Sequence, residues 1–210
     1  PVSPQSFPQA AAAFERLIAA AENGSPDEWT AAEAQLKELG SAVVPALIPA
    51  LASDRPIARE MAVMFLAQLG PDAAPAAEAL VDVLNDPSPF VRVNAAATLT
   101  TLENPPAEAV RTLITLLDHP EVHLRITAAG ALGNVTEISG PAVPALTLSL
   151  QDSDPQVRQA AASSLGRLGN VARSALPQLR TLTSDDDQTV PEAAMFAIQG
   201  LDPDVTSPKG

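Results

Sequence analysis

His119 and His123 stand four residues apart beside Asp118 and Glu121, the residue types and spacing of a metal-binding pair. A metal site built on that pair needs a third convergent ligand, and the sequence ties none to it. The D-H-P-E run is better read as the exposed first turn of a helix, where acidic groups cap free N–H groups and suit the helix dipole. Asp185-Asp186-Asp187 offers three carboxylates, but it lacks the glycine and the distal glutamate of a calcium loop. Its place is a turn between helices, where carboxylates cap and stay solvated. Serines are frequent, yet no G-x-S-x-G elbow occurs and neither histidine is tied to a nucleophile. No glycine-rich phosphate loop follows a strand, since no strand pattern is present. Cysteine is absent, which excludes disulfides and Cys-based zinc sites. The sequence thus predicts no catalytic residue, no metal and no cofactor.

The elements that carry these side chains recur. Arg59, Arg92, Arg125 and Arg158 are spaced by 33 residues, and Leu51, Leu84, Leu117 and Leu150 each precede their arginine by eight. A fixed period of this size marks a solenoid whose units stack only on their neighbours. The clearest copy runs from Asp152 to Gly169. There Asp154 caps, Pro155 takes the first helical position, and Val157, Ala161, Leu165 and Leu168 fall on one helix face. Each unit reads as a Leu-rich first helix, an Asp-bearing turn and a second helix carrying the arginine. Pro45, Pro144 and Pro177 fall near first-helix starts, and Pro49 lies deeper.

The expected architecture is all-α, a right-handed α-solenoid of about six helix pairs with a 33-residue period. Residues 1–6 read as an N-terminal tail and 202–210 as a C-terminal tail. Between them 7–201 forms one repeat domain: an atypical cap pair at 7–40, then units at 41–69, 70–102, 103–135, 136–169 and 170–201. Ser25 with Glu28, and Thr189 with Glu192, have capping-box spacing. Gly133 shares a column with Gly166 and implies close helix approach, whereas Gly130 has no counterpart and marks either flexibility or a close contact.

Val-Arg-x-x-Ala-Ala-x-x-Leu in the second helix with Asp in the turn, as in the copies beginning at Asp86 and Asp152, resembles HEAT-like repeats from about Gly40 to Leu201. The resemblance implies first helices on a convex side, second helices on a concave side, and an Asp/Arg ladder joining adjacent repeats. By it Arg59, Arg92, Arg125, Arg158, Asp86, Asp118 and Asp152 are structural. Three activities of similar proteins can be tested against these residues. Deoxyhypusine hydroxylases need His-Glu pairs for iron, whereas this chain has His119-Pro120 and His123-Leu124. HEAT-like DNA glycosylases present a basic face. Phycobilin lyase subunits share the repeat type, but aromatics are only 3% here, which speaks against a bilin pocket.

The net charge of −13 repels phosphate backbones and anionic bilayers, so neither nucleic acid nor membrane insertion is expected. The chain begins at Pro1, which suits removal of an upstream segment; a soluble cytoplasmic or exported location both remain open. What is left for function is the second-helix surface. Four columns are expected to point outward, through residues 94, 97, 98 and 101 and their counterparts 33 apart, Phe196 among them. On them a partner-binding concave face is expected from Met61, Met64, Phe65, Asn94, Thr98, Thr101, Asn134, Ser164 and Arg167. Short side chains there would admit a polypeptide, or would simply let neighbouring second helices pack. Met61, Met64 and Phe65 either open the groove or lie under the N-terminal pair. The expected function is a non-catalytic protein-interaction scaffold; the alternative is an accessory subunit of a chromophore- or cofactor-attaching lyase complex.

Overall fold

The computed structural model describes residues 6–135 and 140–202. Most of both expected tails, and Ser139 of the loop before the fifth pair, lie outside the described residues. The chain divides into two compact units, Pro1–Glu103 and Asn104–Gly210. The first holds α1 (Ser6–Asn23), α2 (Pro26–Leu39), α3 (Val44–Leu51), α4 (Pro56–Leu69), α5 (Ala77–Asp82) and α6 (Pro89–Leu99). The second holds α7 (Ala107–Leu116), α8 (Val122–Leu132), α9 (Ala142–Ser149), α10 (Pro155–Leu168), α11 (Leu176–Thr181) and α12 (Thr189–Leu201). No strand occurs among the described residues. The fold is an all-α helical-repeat solenoid.

Helices pack as consecutive pairs: α1 with α2, α3 with α4 and α5 with α6 in the first unit, α7 with α8, α9 with α10 and α11 with α12 in the second. Second helices also stack on one another, α4 on α6 in one unit and α8, α10 and α12 in the other. Leucine supplies most of the fully buried bulk, from Leu17, Leu47, Leu66 and Leu80 to Leu113, Leu132, Leu146 and Leu165. Each such side chain is worth about 1.5–3 kcal/mol on burial, so a core with few aromatics suffices.

Helix ends follow local chemistry. Proline opens α2, α4, α6 and α10, where a missing N–H costs nothing. Asp154 accepts the N–H of Gln156 at 2.9 Å and caps α10. Gly169 leaves α10 with a φ of 65°, a left-handed conformation that a side chain would strain. Both expected capping boxes are corrected. Ser25 precedes α2 without a side-chain bond, and the first-turn charges of Asp27 and Glu28 meet the dipole instead. At α12 it is Asp187 that accepts from the Thr189 N–H and hydroxyl, at 2.9 and 2.6 Å, so the helix starts at Thr189 itself.

The N-terminal pair joins the repeats through α1, which packs against both α3 and α4. Arg55, at the head of α4, ties the two helices with bonds to Glu15 and Glu22 of α1 at 3.0 and 2.9 Å.

Candidate interaction face of the second helices

The arginine register orients the second helices. Arg59 donates to the Asp86 carboxylate from Nε at 2.6 Å, Arg125 to Asp152 from Nε and Nη2 at 2.8 and 2.9 Å, and Arg158 to Asp185 at 2.8 and 2.7 Å. Each pair spans 27 residues, from one second helix to the turn of the next repeat. The remaining nitrogen, Nη1, donates to turn carbonyls of its own repeat: Ser53, His119 and Asp152 respectively. Asp152 thus takes Arg125 on its carboxylate and Arg158 on its carbonyl, and the chain of bonds runs on to Asp185. Arg92 donates to the carbonyls of Asp86 and Pro87 at 2.7 and 3.1 Å. The same register from Arg92 falls on His119, not a carboxylate, and the expected ladder residue Asp118 is exposed one position earlier.

With the helices so rotated, the four expected outward columns divide. Three are open or half-open. Met64, Ala97, Gly130 and Ser163 are half-buried and Phe196 of the same column is 68% exposed; Gln68, Thr101, Asn134, Arg167 and Gly200 are exposed. Asn94, Thr127, Ala160 and Ala193 are half-buried, but Met61 at the head of that column is buried.

The fourth column is closed. Phe65, Thr98, Ala131, Ser164 and Ala197 are all buried, Thr98 to 2% and Ser164 to 0% exposure. The expectation that Met61, Phe65, Thr98 and Ser164 face a partner is therefore corrected. Ser164 shows why, because its hydroxyl donates to the Ala129 carbonyl of α8 at 2.8 Å, so this column meets the preceding layer. For α4 the preceding layer is α1, and Phe65 is buried by the same register.

Polar side chains on the open columns are largely satisfied within the protein. Asn94 donates to the Phe90 carbonyl at 2.9 Å, Thr127 to His123 at 2.9 Å and Thr101 to Thr98 at 2.7 Å. Arg167 donates to the Gly130 carbonyl at 2.6 Å and to the Ser164 hydroxyl at 2.9 Å. Such hydroxyls present methyl groups and acceptors outward, and Arg167 carries the one charge in the three open columns. In a chain of net charge −13, the open columns of each unit thus carry almost no charge.

Glycines set the depth of these columns. A Cβ at Gly166 would lie 3.0 Å from Cα of Ala197, and one at Gly133 would lie 2.8 Å from Cβ of Ser164. A Cβ at Gly130 meets nothing within 4 Å, so neither close contact nor crowding requires glycine there. Gly166→Ala should therefore destabilise the protein by about 1–3 kcal/mol, because α12 backbone must move. Gly130→Ala should stabilise it by about 0.5–1 kcal/mol by removing helix-interior glycine. Urea melts check the opposite signs.

The chemical candidates have structural places. His119 accepts the Glu121 N–H on Nδ1 at 3.2 Å, ahead of α8, and His123 is exposed with its Nε2 3.6 Å from Glu121. Asp185 is the acceptor of Arg158, Asp187 caps α12 and Asp186 is exposed. Among the described residues no group of three or more His, Cys, Asp or Glu side chains could hold a metal ion, and no helix is long and apolar enough to cross a membrane. A recess of about 490 Å³ lies at the starts of α7 and α9, lined by Ala107, Val110, Arg111, Gly140 and Pro141. Among the described residues that line it, the one ionisable group is Arg111, which Glu108 takes at 2.6 Å.

A family model described as HEAT repeats matches residues 77–147 and 136–199. No curated protein sequence matches the chain. Among solved structures, a designed armadillo repeat protein in complex with the peptide (KR)4 superposes with a TM-score of 0.69 at 21% identity, covering 91% of this chain and 99% of that one. Computationally designed armadillo repeat proteins for modular peptide recognition give 0.65 at 20% identity, with the same coverages. The complex of CpcE and CpcF of phycocyanin lyase from Nostoc sp. PCC7120 gives 0.63 at 26% identity, covering 76% of this chain and 65% of the matched one.

Proposed function

The chain belongs to the HEAT-repeat family, and from that premise we propose that it is a non-catalytic scaffold which binds a polypeptide along the open columns of its second helices. The observation that carries this reading is Phe196: an aromatic side chain, 68% exposed, on open columns that in the second unit otherwise carry Thr127, Gly130, Asn134, Ala160, Ser163, Ala193 and Gly200 with Arg167 as their one charge. Large aromatic residues left in water beside low-profile surface are what interfaces use as anchors. The designed repeat proteins of like fold, whose function is peptide recognition, support the same reading. With the Asn94, Thr101, Thr127 and Arg167 donors spent internally, these columns suit a segment with apolar or neutral side chains, while the acidic surroundings disfavour acidic partners.

A photo-crosslinking residue at Ser163 tests it in an extract of the native host. A polypeptide should be captured from position 163 and not from Thr115, an exposed first-helix residue, and Phe196→Ala should weaken capture at least about tenfold. Equal capture at both positions, or none at 163, overturns the reading.

The likeness to the CpcE–CpcF complex favours a second reading, an accessory subunit in a chromophore- or cofactor-attaching complex. A bilin absorption band on mixing, retained after Phe196→Ala, would select it.

A further inference from the structure

Asn23 closes α1 and Gly24 follows it, and both are exposed. Gly24 has a φ of 65°, and a Cβ built on it would meet nothing within 4 Å. Among the described residues no hydrogen bond holds the Asn23 carboxamide, and none holds the Gly24 N–H. Helix ends fray, and glycine turns freely, so the peptide group between Asn23 and Gly24 is open to rotation. Asn94 differs, since its carboxamide donates to the Phe90 carbonyl at 2.9 Å and Ala95 follows it.

We propose that Asn23-Gly24 is a site of spontaneous modification, in which the Gly24 nitrogen closes on the Asn23 side chain. Having lost its proton to hydroxide, that nitrogen attacks Cγ of Asn23. The bond from Cγ to the carboxamide nitrogen breaks and ammonia leaves, which gives a cyclic succinimide. Water then opens either C–N bond of the ring to the Gly24 nitrogen. The product is aspartate or, with the backbone now running through Cβ and Cγ, isoaspartate. One water is consumed for each ammonia released, and nothing is oxidised or reduced. The new carboxylate stands at the C-terminal end of α1, where the helix dipole is negative. It also adjoins Glu22, whose own carboxylate holds Arg55 of α4 at 2.9 Å. Isoaspartate further lengthens the turn before Ser25, whose N–H bonds the Ala20 carbonyl at 3.0 Å and whose carbonyl accepts the Trp29 N–H at 3.0 Å. Both changes loosen α2 from α1.

Trp29 is the one tryptophan of the chain and lines a recess of about 230 Å³ with Ala20, Ala21, Gly24, Ser25 and Pro26, so its emission reports the loosening. The full chain is held in warm, mildly alkaline buffer and sampled by trypsin digestion and mass spectrometry. Asn23 falls in the peptide 17–37, and the exposed Asn170, which Val171 follows, falls in 168–173. Conversion at Asn23 should outrun conversion at Asn170 at least about tenfold, because no Cβ shields the attacking amide. Trp29 emission should shift to the red as Asn23 converts. In Asn23→Gln, whose longer side chain closes a ring far more slowly, neither change should occur. Equal rates at Asn23 and Asn170, or no conversion at Asn23, overturns the proposal. Full conversion with Trp29 emission unmoved overturns the loosening of α2.

Discussion

Ser164→Arg should destabilise the protein by about 4 kcal/mol, enough to unfold the second unit, whereas Ser163→Arg should cost no more than about 0.5 kcal/mol. The two serines are neighbours on α10, and nothing in their chemistry separates them. Ser164 is fully buried, and its hydroxyl donates to Ala129 while accepting from Arg167. A guanidinium there has no room, since even a Cβ at Gly133 would come within 2.8 Å of Ser164 Cβ. It must either bury an unpaired charge or prise α8 from α10. Ser163 is half-buried on an open column, so its replacement arginine reaches water. Urea titrations followed by circular dichroism separate the two. Equal, small effects would mean that the column through Ser164 is a surface after all. The same pair decides between fold and function, because Ser163→Arg should block a partner from a folded protein.

Arg125→Ala should cost about 2 kcal/mol, against no more than about 0.5 kcal/mol for Arg111→Ala. Arg111 meets Glu108 across a fully solvated helix surface, where the ion pair is screened. The Arg125 and Asp152 side chains are only 11% and 13% exposed, and two further carbonyls, of His119 and Pro120, lose their donor with the guanidinium. Removing it leaves a half-buried carboxylate with the Asp154 N–H alone.

Acid should show the same dependence. Burial pushes the Asp152 carboxyl up, but the bonds from Arg125 and the Asp154 N–H, with the charges of Arg125 and Arg158, bring it below its ordinary value. Asp185 is lowered chiefly by its bond from Arg158. A carboxylate lowered in the folded state stabilises fully above its unfolded pKa of about 3.9, and loses that contribution as pH falls through the folded value. Stability should therefore fall below about pH 4, and the difference between pH 7 and pH 3 should shrink in Arg125→Ala. An unaltered difference would remove the ladder from the account of acid sensitivity.

Much of the framework was legible without coordinates. The 33-residue spacing marked Arg59, Arg125 and Arg158 as one repeated position, and the resemblance to HEAT-like repeats implied that the contact they make is a ladder to the turn aspartates. The helix start at Pro155 was legible because proline at the first helical turn is a local preference needing no neighbour. Capping was legible at Asp154 and not at Ser25 or Thr189, because several nearby groups compete for the same few N–H donors.

By itself the sequence determined the all-α repeat, its register, the absence of thiol chemistry and a set of small residues on the second helices, since periodicity and composition are carried by the chain alone. Only the tertiary structure decided which of those residues meet water. Phe65 and Phe196 belong to adjacent columns of equivalent helices, about 100° apart around the axis, and the first is buried while the second is 68% exposed. In the first unit the layer before α4 is α1; in the second the preceding helices α8 and α10 are held by the Gly133–Ser164 and Gly166–Ala197 approaches and by the arginine ladder. A residue's type states what it could bury; the backbone of its neighbour states whether it does.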